Sequence, residues 1–204
     1  CPAGVDVPRY VNLIAQGRYS DAHLVVNEEV PFANVLGHSC ARLCEKVCRS
    51  RDVNEPVSIC ALKRFAVDNT VEPTSVKATQ STGKRVAIIG SGPGGLTAAY
   101  HLARLGHSVT VFDAMPKLGG MMRYCIPDFR LEKFVVANEI AYIKGLGVNI
   151  KTGVEFGRDI TLESLHKDGY RAVFLAIGTQ LGMKLNVSGE DLEGVINAVD
   201  FLRD

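Results

Sequence analysis

The chain has 204 residues, of which 47% are hydrophobic and 22% charged. That composition suits one or two packed domains and excludes disorder as the main state. Basic and acidic residues nearly balance at 23 and 22, so there is none of the basic excess of a non-specific nucleic-acid or membrane-surface binder. No apolar run approaches the ~18–20 residues that span a bilayer. Neither nucleic acid nor a membrane is therefore expected as a partner.

The chain opens on Cys1-Pro2 without a methionine. In bacterial ferredoxin-type runs, C-x2-C-x2-C-x3-C-P ends in such a pair, and its last cysteine serves a second cluster. The opening reads as the tail of such a run, and the chain as a fragment. Residues 1–68 read as short helices. Pro8 suits a first turn and Gly17 a stop. Ser20 is expected to cap a helix through Val25 and Val26 that ends before Pro31. Glu55-Pro56 is expected to open another, with Ile59, Leu62 and Ala66 on one face.

Five of the six cysteines precede residue 61: Cys1, Cys40, Cys44, Cys48 and Cys60. Cys40, Cys44 and Cys48 recur at steps of four. On one helix neighbouring thiols of this set share a face, and the third lies about 80° around from the first. An i,i+4 disulfide is poor geometry on a helix, so a thiolate-ligated centre is the expectation. Arg42, Lys46, Arg49 and Arg51 surround these cysteines and suit a negatively charged cluster. Structural zinc more often shows paired C-x2–4-C spacings. His38 sits beside Cys40 but reads as an ordinary surface or core histidine. Residues 69–83, rich in Thr, Ser, Pro and Lys without periodicity, read as a linker.

The pattern then changes. Val86–Ile89 suits a buried parallel strand. A glycine-rich turn and an Ala-rich helix ending near Gly106 follow. Further strands are expected at 109–112, 148–150 and 172–177. Helices are expected from about Glu132 to Leu146 and from a Thr161 cap through Leu165. Alternating strands and helices predict an α/β fold with a parallel, doubly wound sheet.

Gly90-Ser91-Gly92-Pro93-Gly94-Gly95 is G-x-G-x-x-G between a strand and a helix, the context that makes the motif a dinucleotide fingerprint. Gly90 permits the turn, Gly92 the approach of a pyrophosphate, and Gly95 the close packing of helix on strand. The helix N-terminus offers free amides to phosphates. Asp113, 23 residues after Gly90, would accept from ribose hydroxyls and repel a 2′-phosphate. Gly119-Gly120 allows a second close backbone pass along an extended dinucleotide, and Gly178 follows the last strand. No acid–base or nucleophilic constellation is visible.

These residues together resemble the glutamate synthase small-subunit-like oxidoreductases. That group includes the N-terminal half of dihydropyrimidine dehydrogenase and the large subunit of NADH-dependent ferredoxin:NADP oxidoreductase. The resemblance rests on Cys1-Pro2-Ala3-Gly4 with Val7-Pro8, the Cys40/Cys44/Cys48 group and Glu55-Pro56-Val57-Ser58-Ile59. It rests further on the glycine turn, Leu118-Gly119-Gly120-Met121-Met122-Arg123-Tyr124, and Ile126-Pro127-Asp128-Phe129-Arg130-Leu131.

The resemblance implies a helical [4Fe-4S]-binding domain at 1–68 and, after the linker, the N-terminal part of a Rossmann-like FAD-binding domain at 84–204. It implies that Cys1, Cys40 and Cys44 serve one cluster and Cys48 another. It implies FAD contacts at the glycine turn, at Asp113, Ala114, Leu118, Gly119, Gly120 and Met121, at Arg130 near the flavin, and at Phe156 near the adenine. NAD(P)H in the intact protein, a partner redox subunit or ferredoxin-like acceptor, and a cytoplasmic location are implied likewise.

Two departures stand out. Lys63 occupies the place of an unusual Gln or Glu ligand in relatives, and Leu36 a place where relatives often carry Cys. Cys60, one helical turn before Lys63, is either a substitute ligand or a buried free thiol. Cys125 reads as a packing residue. The expected function is electron transfer between FAD and [4Fe-4S] clusters. The alternatives are a zinc-stabilised docking module and an ordinary flavin disulfide reductase. The second lacks its cysteine pair here, since no cysteine lies between Cys60 and Cys125.

Overall fold

The computed structural model describes residues 1–70 and 79–203. Five helices come first: α1 (Val7–Ala15), α2 (Tyr19–Glu29), α3 (Ala33–Ser39), α4 (Leu43–Lys46) and α5 (Ile59–Asp68). A 3-10 turn, Arg49–Asp52, separates the last two. Then follow β1 (Arg85–Ile89), α6 (Pro93–Arg104), β2 (Ser108–Asp113), α7 (Met121–Tyr124), α8 (Lys133–Gly145), β3 (Asn149–Thr152), α9 (Leu162–Lys167), β4 (Tyr170–Leu175) and α10 (Ala198–Arg203).

The four strands form one parallel sheet in the order β3-β2-β1-β4. Side chains alternate across it. Ile88 and Val111 face a core shared with α6 and α8, where Leu96, Tyr100, Val136 and Ile143 are buried. Ala87, Ile89 and Phe112 face a smaller cluster with Leu165 of α9 and Tyr170. The expected capping of α9 is present: Thr161 and Ser164 exchange side-chain and backbone bonds reciprocally.

The helical segment shares the larger core rather than owning a separate one. Val26, Phe32, Val35 and Ala66 belong to the same apolar cluster as Ile88, Leu96 and Ile140. The join is also polar. Tyr100 donates from its hydroxyl to the Asn27 carbonyl at 2.6 Å. Arg104 donates to the Glu28 carbonyl at 2.8 Å. Both acceptors lie at the C-terminus of α2, where carbonyls lack helical partners and a cation is favoured.

Three local expectations need correction. Cys40, Cys44 and Cys48 do not share a helix. Cys40 is extended after α3, Arg42 is left-handed at φ 56°, and Cys48 is extended again before the 3-10 turn. Ser20 lies inside α2, which starts one residue earlier with Arg18 at the cap and no side-chain cap bond. Glu55-Pro56 precedes α5 by three residues. A tight Ile59 N–H to Val57 carbonyl bond of 2.8 Å intervenes, with Ser58 at the cap.

Within the expected linker, residues 71–78 lie outside the described residues. Thr82 donates its amide to the Gly106 carbonyl at 2.9 Å, so that end runs along the end of α6.

Candidate functional site: a glycine-lined crevice and a thiol-ringed cavity

The crevice forms at the carboxyl ends of β1, β2 and β4, where open parallel sheets bind ligands. Gly90 adopts φ 105° and leaves β1 with its backbone against that of Ala176, so no β-carbon fits there. Gly95 meets the Gly90 carbonyl in the same way, which brings α6 onto the strand. Gly92 caps α6 and Pro93 occupies its first turn; no side chain caps the helix amides, which leaves them free for an anion.

Asp113 closes β2. Its carboxylate accepts from Ser91 N–H at 2.6 Å and from Met115 N–H at 2.7 Å. Ser91, fully buried, then accepts from Gly119 N–H at its carbonyl, 3.1 Å, and at its hydroxyl, 3.3 Å. One carboxylate thus ties the glycine turn to the chain leaving β2, and that turn anchors Gly119-Gly120 above it. A carboxylate oxygen has room for more than one donor, so ribose hydroxyls can still reach Asp113.

The crevice encloses about 310 Å³. Of the expected residues, Gly90, Gly92, Pro93, Gly94, Asp113, Gly120, Met121 and Gly178 line it. Ser91, Gly95 and Gly119 are buried behind this lining, in supporting positions. Ala114 and Leu118 lie on the same segment outside the lining. Arg130 is exposed in the turn before α8 and is not among the lining residues. Phe156 packs with the Ala87, Ile89 and Phe112 cluster and does not reach the crevice. Met115 and Tyr124 line it from the segment that runs on from Asp113, and Gln180 and Arg203 line it without having been singled out in the sequence. Arg203 donates to the Gln180 side-chain oxygen at 2.6 Å, a contact across 23 residues that no local pattern announces.

The second site is a cavity of about 130 Å³ in the helical segment. Cys1, Cys40, Cys44 and Cys60 ring it, with Val5, Val7, Tyr10, Leu36, Leu43 and Ile59 as an apolar wall. Cys48 is not part of the ring. Cys60 is buried on α5. Its N–H donates to a Glu45 carboxylate oxygen at 2.8 Å and its thiol points at the Leu36 carbonyl, 3.4 Å away. Burial pushes the Cys60 thiol up, against the pull of the Lys63 and Arg42 charges. Arg42 N–H donates to the Cys40 sulfur at 3.4 Å.

Among the described residues, no three His, Cys, Asp or Glu side chains converge as a single ion needs. Tetrahedral zinc, with Zn–S bonds of about 2.3 Å, draws its sulfurs to about 3.8 Å of one another. Sulfur ligands suit an iron–sulfur cluster as well as zinc, and four cysteines line this one cavity. Cys125 stands apart, its thiol 3.0 Å from the Met121 sulfur.

Comparison with known proteins agrees with both halves. Residues 1–75 match the family described as dihydropyrimidine dehydrogenase domain II, 4Fe-4S cluster. Residues 88–151 match the NAD(P)-binding Rossmann-like domain. The chain is 40% identical to the beta subunit of NADP(+)-dependent formate dehydrogenase of Moorella thermoacetica, over 100% of this chain and 32% of that one. It is 36% identical to the beta subunit of NADPH-Fe(3+) oxidoreductase of Geobacter sulfurreducens, over 100% and 31%. It is 36% identical to the glutamate synthase [NADPH] small chain of Escherichia coli, over 99% and 44%.

The chain therefore spans only 31–44% of the length of these relatives. Among solved structures, the oxidoreductase FprA of Mycobacterium tuberculosis, one form of it in complex with NADPH, aligns with a TM-score of 0.53 at 28% identity. That alignment covers 58% of this chain and 28% of FprA. No described helix is long and apolar enough to cross a membrane. A helical segment with a cysteine-lined cavity leads into a glycine-fingerprinted parallel sheet, and over its whole length the chain is similar to glutamate synthase small chains and to NADPH-dependent oxidoreductase beta subunits.

Proposed function

We propose that this chain is the electron-transfer portion of an NAD(P)H-dependent flavin and iron–sulfur oxidoreductase of glutamate synthase small-subunit type. Residues 1–68 would hold a [4Fe-4S] cluster, and 84–204 would form part of the FAD site. The observation that carries this reading is the ring of Cys1, Cys40, Cys44 and Cys60 around one apolar cavity. Cys60 supplies the fourth thiol in place of the position held by Lys63. Cys48, outside the ring, is left to serve a second cluster.

The crevice favours FAD over NADP. Asp113 stands at the ribose position and would repel a 2′-phosphate there. The free amides of α6 would hold a pyrophosphate, Asp113 would orient a ribose, and Gly92 and Gly120 would let a dinucleotide approach the backbone. When bound, the flavin would split the electron pair of a hydride, and the cluster would carry single electrons to a partner redox subunit or a ferredoxin-like acceptor.

Anaerobic purification tests this. Equal amounts of iron and acid-labile sulfide, absorbance near 400 nm and bound flavin support the reading. Zinc without sulfide would instead establish the docking-module alternative.

A further inference from the structure

Glu139 is a buried carboxylate on α8, at 9% exposure, and no part of the function proposed above uses it. It accepts from the backbone N–H of Asn34 at 2.6 Å and of Val35 at 3.1 Å. These are the second and third residues of α3, the donors that a helix cap normally satisfies. The cap position of α3 is Phe32, whose side chain cannot accept. The cap comes instead from a helix more than a hundred residues away.

The other ends of both helices matter. The last turn of α3 runs into Cys40, whose own N–H donates to the Leu36 carbonyl at 3.0 Å. On α8, Val136 lies about one helical turn before Glu139 and Ile140 directly after it. A β-carbon on Gly119 would stand 3.0 Å from Val136 Cγ1 and 3.6 Å from Ile140 Cδ1, so α8 supports the Gly119-Gly120 floor of the crevice. A continuous path of packed groups follows: crevice floor, Val136 and Ile140, Glu139, the start of α3, and Cys40. Each link is a direct contact or a helical turn. At the same corner Tyr100 and Arg104 hold the end of α2.

We propose that Glu139 is a positioning residue that fixes the thiol-bearing α3 to the dinucleotide crevice, so that α8 sets the separation across which electrons pass. The proposal rests on the electron-transfer reading of the two sites. A carboxylate suits the task because its two oxygens can each take one amide and its charge complements the N-terminal end of α3. A glutamine offers one acceptor oxygen, and an alanine none.

The test uses the flavin- and iron-loaded protein with Glu139→Ala and Glu139→Gln, at a pH where the carboxylate is ionised. Amide hydrogen exchange at Asn34 and Val35 should quicken about 10- to 100-fold in Glu139→Ala. It should quicken less in Glu139→Gln, with the β1 amides unmoved and iron and flavin contents unchanged. The rate of internal electron transfer from flavin to cluster should fall in the same order.

Unchanged exchange at Asn34 and Val35 in Glu139→Ala would overturn the proposal. So would altered exchange with an unchanged transfer rate. Should Glu139→Ala not fold, Glu139→Gln decides by the same two readouts. Absence of iron and sulfide in the wild-type protein would mark failure of the electron-transfer reading instead, and the exchange result would remain readable by itself.

Discussion

A β-carbon placed on Gly120 would stand 2.8 Å from the α-carbon of Gly92. Two backbones cross there without side chains between them, one from the fingerprint turn and one from the segment after β2. Gly120 also holds φ 51°, where other residues are strained. Gly120→Ala should cost at least about 1 kcal/mol of stability and lower the flavin content of purified protein. Thermal unfolding and a flavin-to-protein ratio measure both; a full complement of flavin would show that the backbones need not meet.

The thiols separate into groups by position. Cys44→Ser and Cys60→Ser should each lower bound iron, because both residues line the cavity. Cys125→Ser should leave iron unchanged. Cys60→Ser is the informative member: full iron content with a modest loss of stability would make Cys60 a buried free thiol. Iron and sulfide analysis after anaerobic preparation reads the outcome.

Two buried groups set opposing pH dependences. Burial lifts Glu139 from 4.5 to about 7, against the two amides and the Lys63 charge. The folded state therefore holds a proton that the unfolded chain has released, and this group's contribution falls as pH rises from about 4.5 to 7. Burial lowers His23 from 6.5 to about 4, so its contribution rises with pH between those values. The two oppose one another over most of that range. Glu139→Gln should unmask a rise in stability between pH 4.5 and 6.5 in denaturant titrations, and His23→Gln a fall. Parallel wild-type and Glu139→Gln profiles would remove Glu139 from the account.

Asp113 holds two backbone amides of its own chain. Asp113→Asn keeps the shape but turns one acceptor into a donor, facing an amide that needs an acceptor. Flavin binding should weaken markedly, and stability should drop by about 1–3 kcal/mol. Isothermal titration of the flavin-stripped protein with FAD, alongside chemical unfolding, checks both effects.

The sheet and crevice were largely legible in the sequence because their determinants are local. A strand, a glycine turn and a helix adjoin in sequence, so Gly90, Gly92 and Gly95 announce themselves, and Asp113 follows at the end of the next strand. The thiol cavity was legible in its membership but not in its shape. Spacing by four suggested one helix, yet a left-handed Arg42 parts Cys40 from Cys44, and Cys48 is extended beyond α4, outside the cavity lining. Glu139 could not be read at all. A charged residue within a mostly apolar helix has no local feature that distinguishes it from a solvated one, and its partners lie 104 and 105 positions away. Arg203 escaped for the same reason.

Strand β4 pairs with β1 along one side, while Phe174, Leu175 and the following Ile177 stay 45%, 54% and 58% accessible. Such a border is a template for intermolecular strand pairing. A preparation of these 204 residues by themselves should therefore cloud as it is concentrated, and refolding yields should improve with dilution.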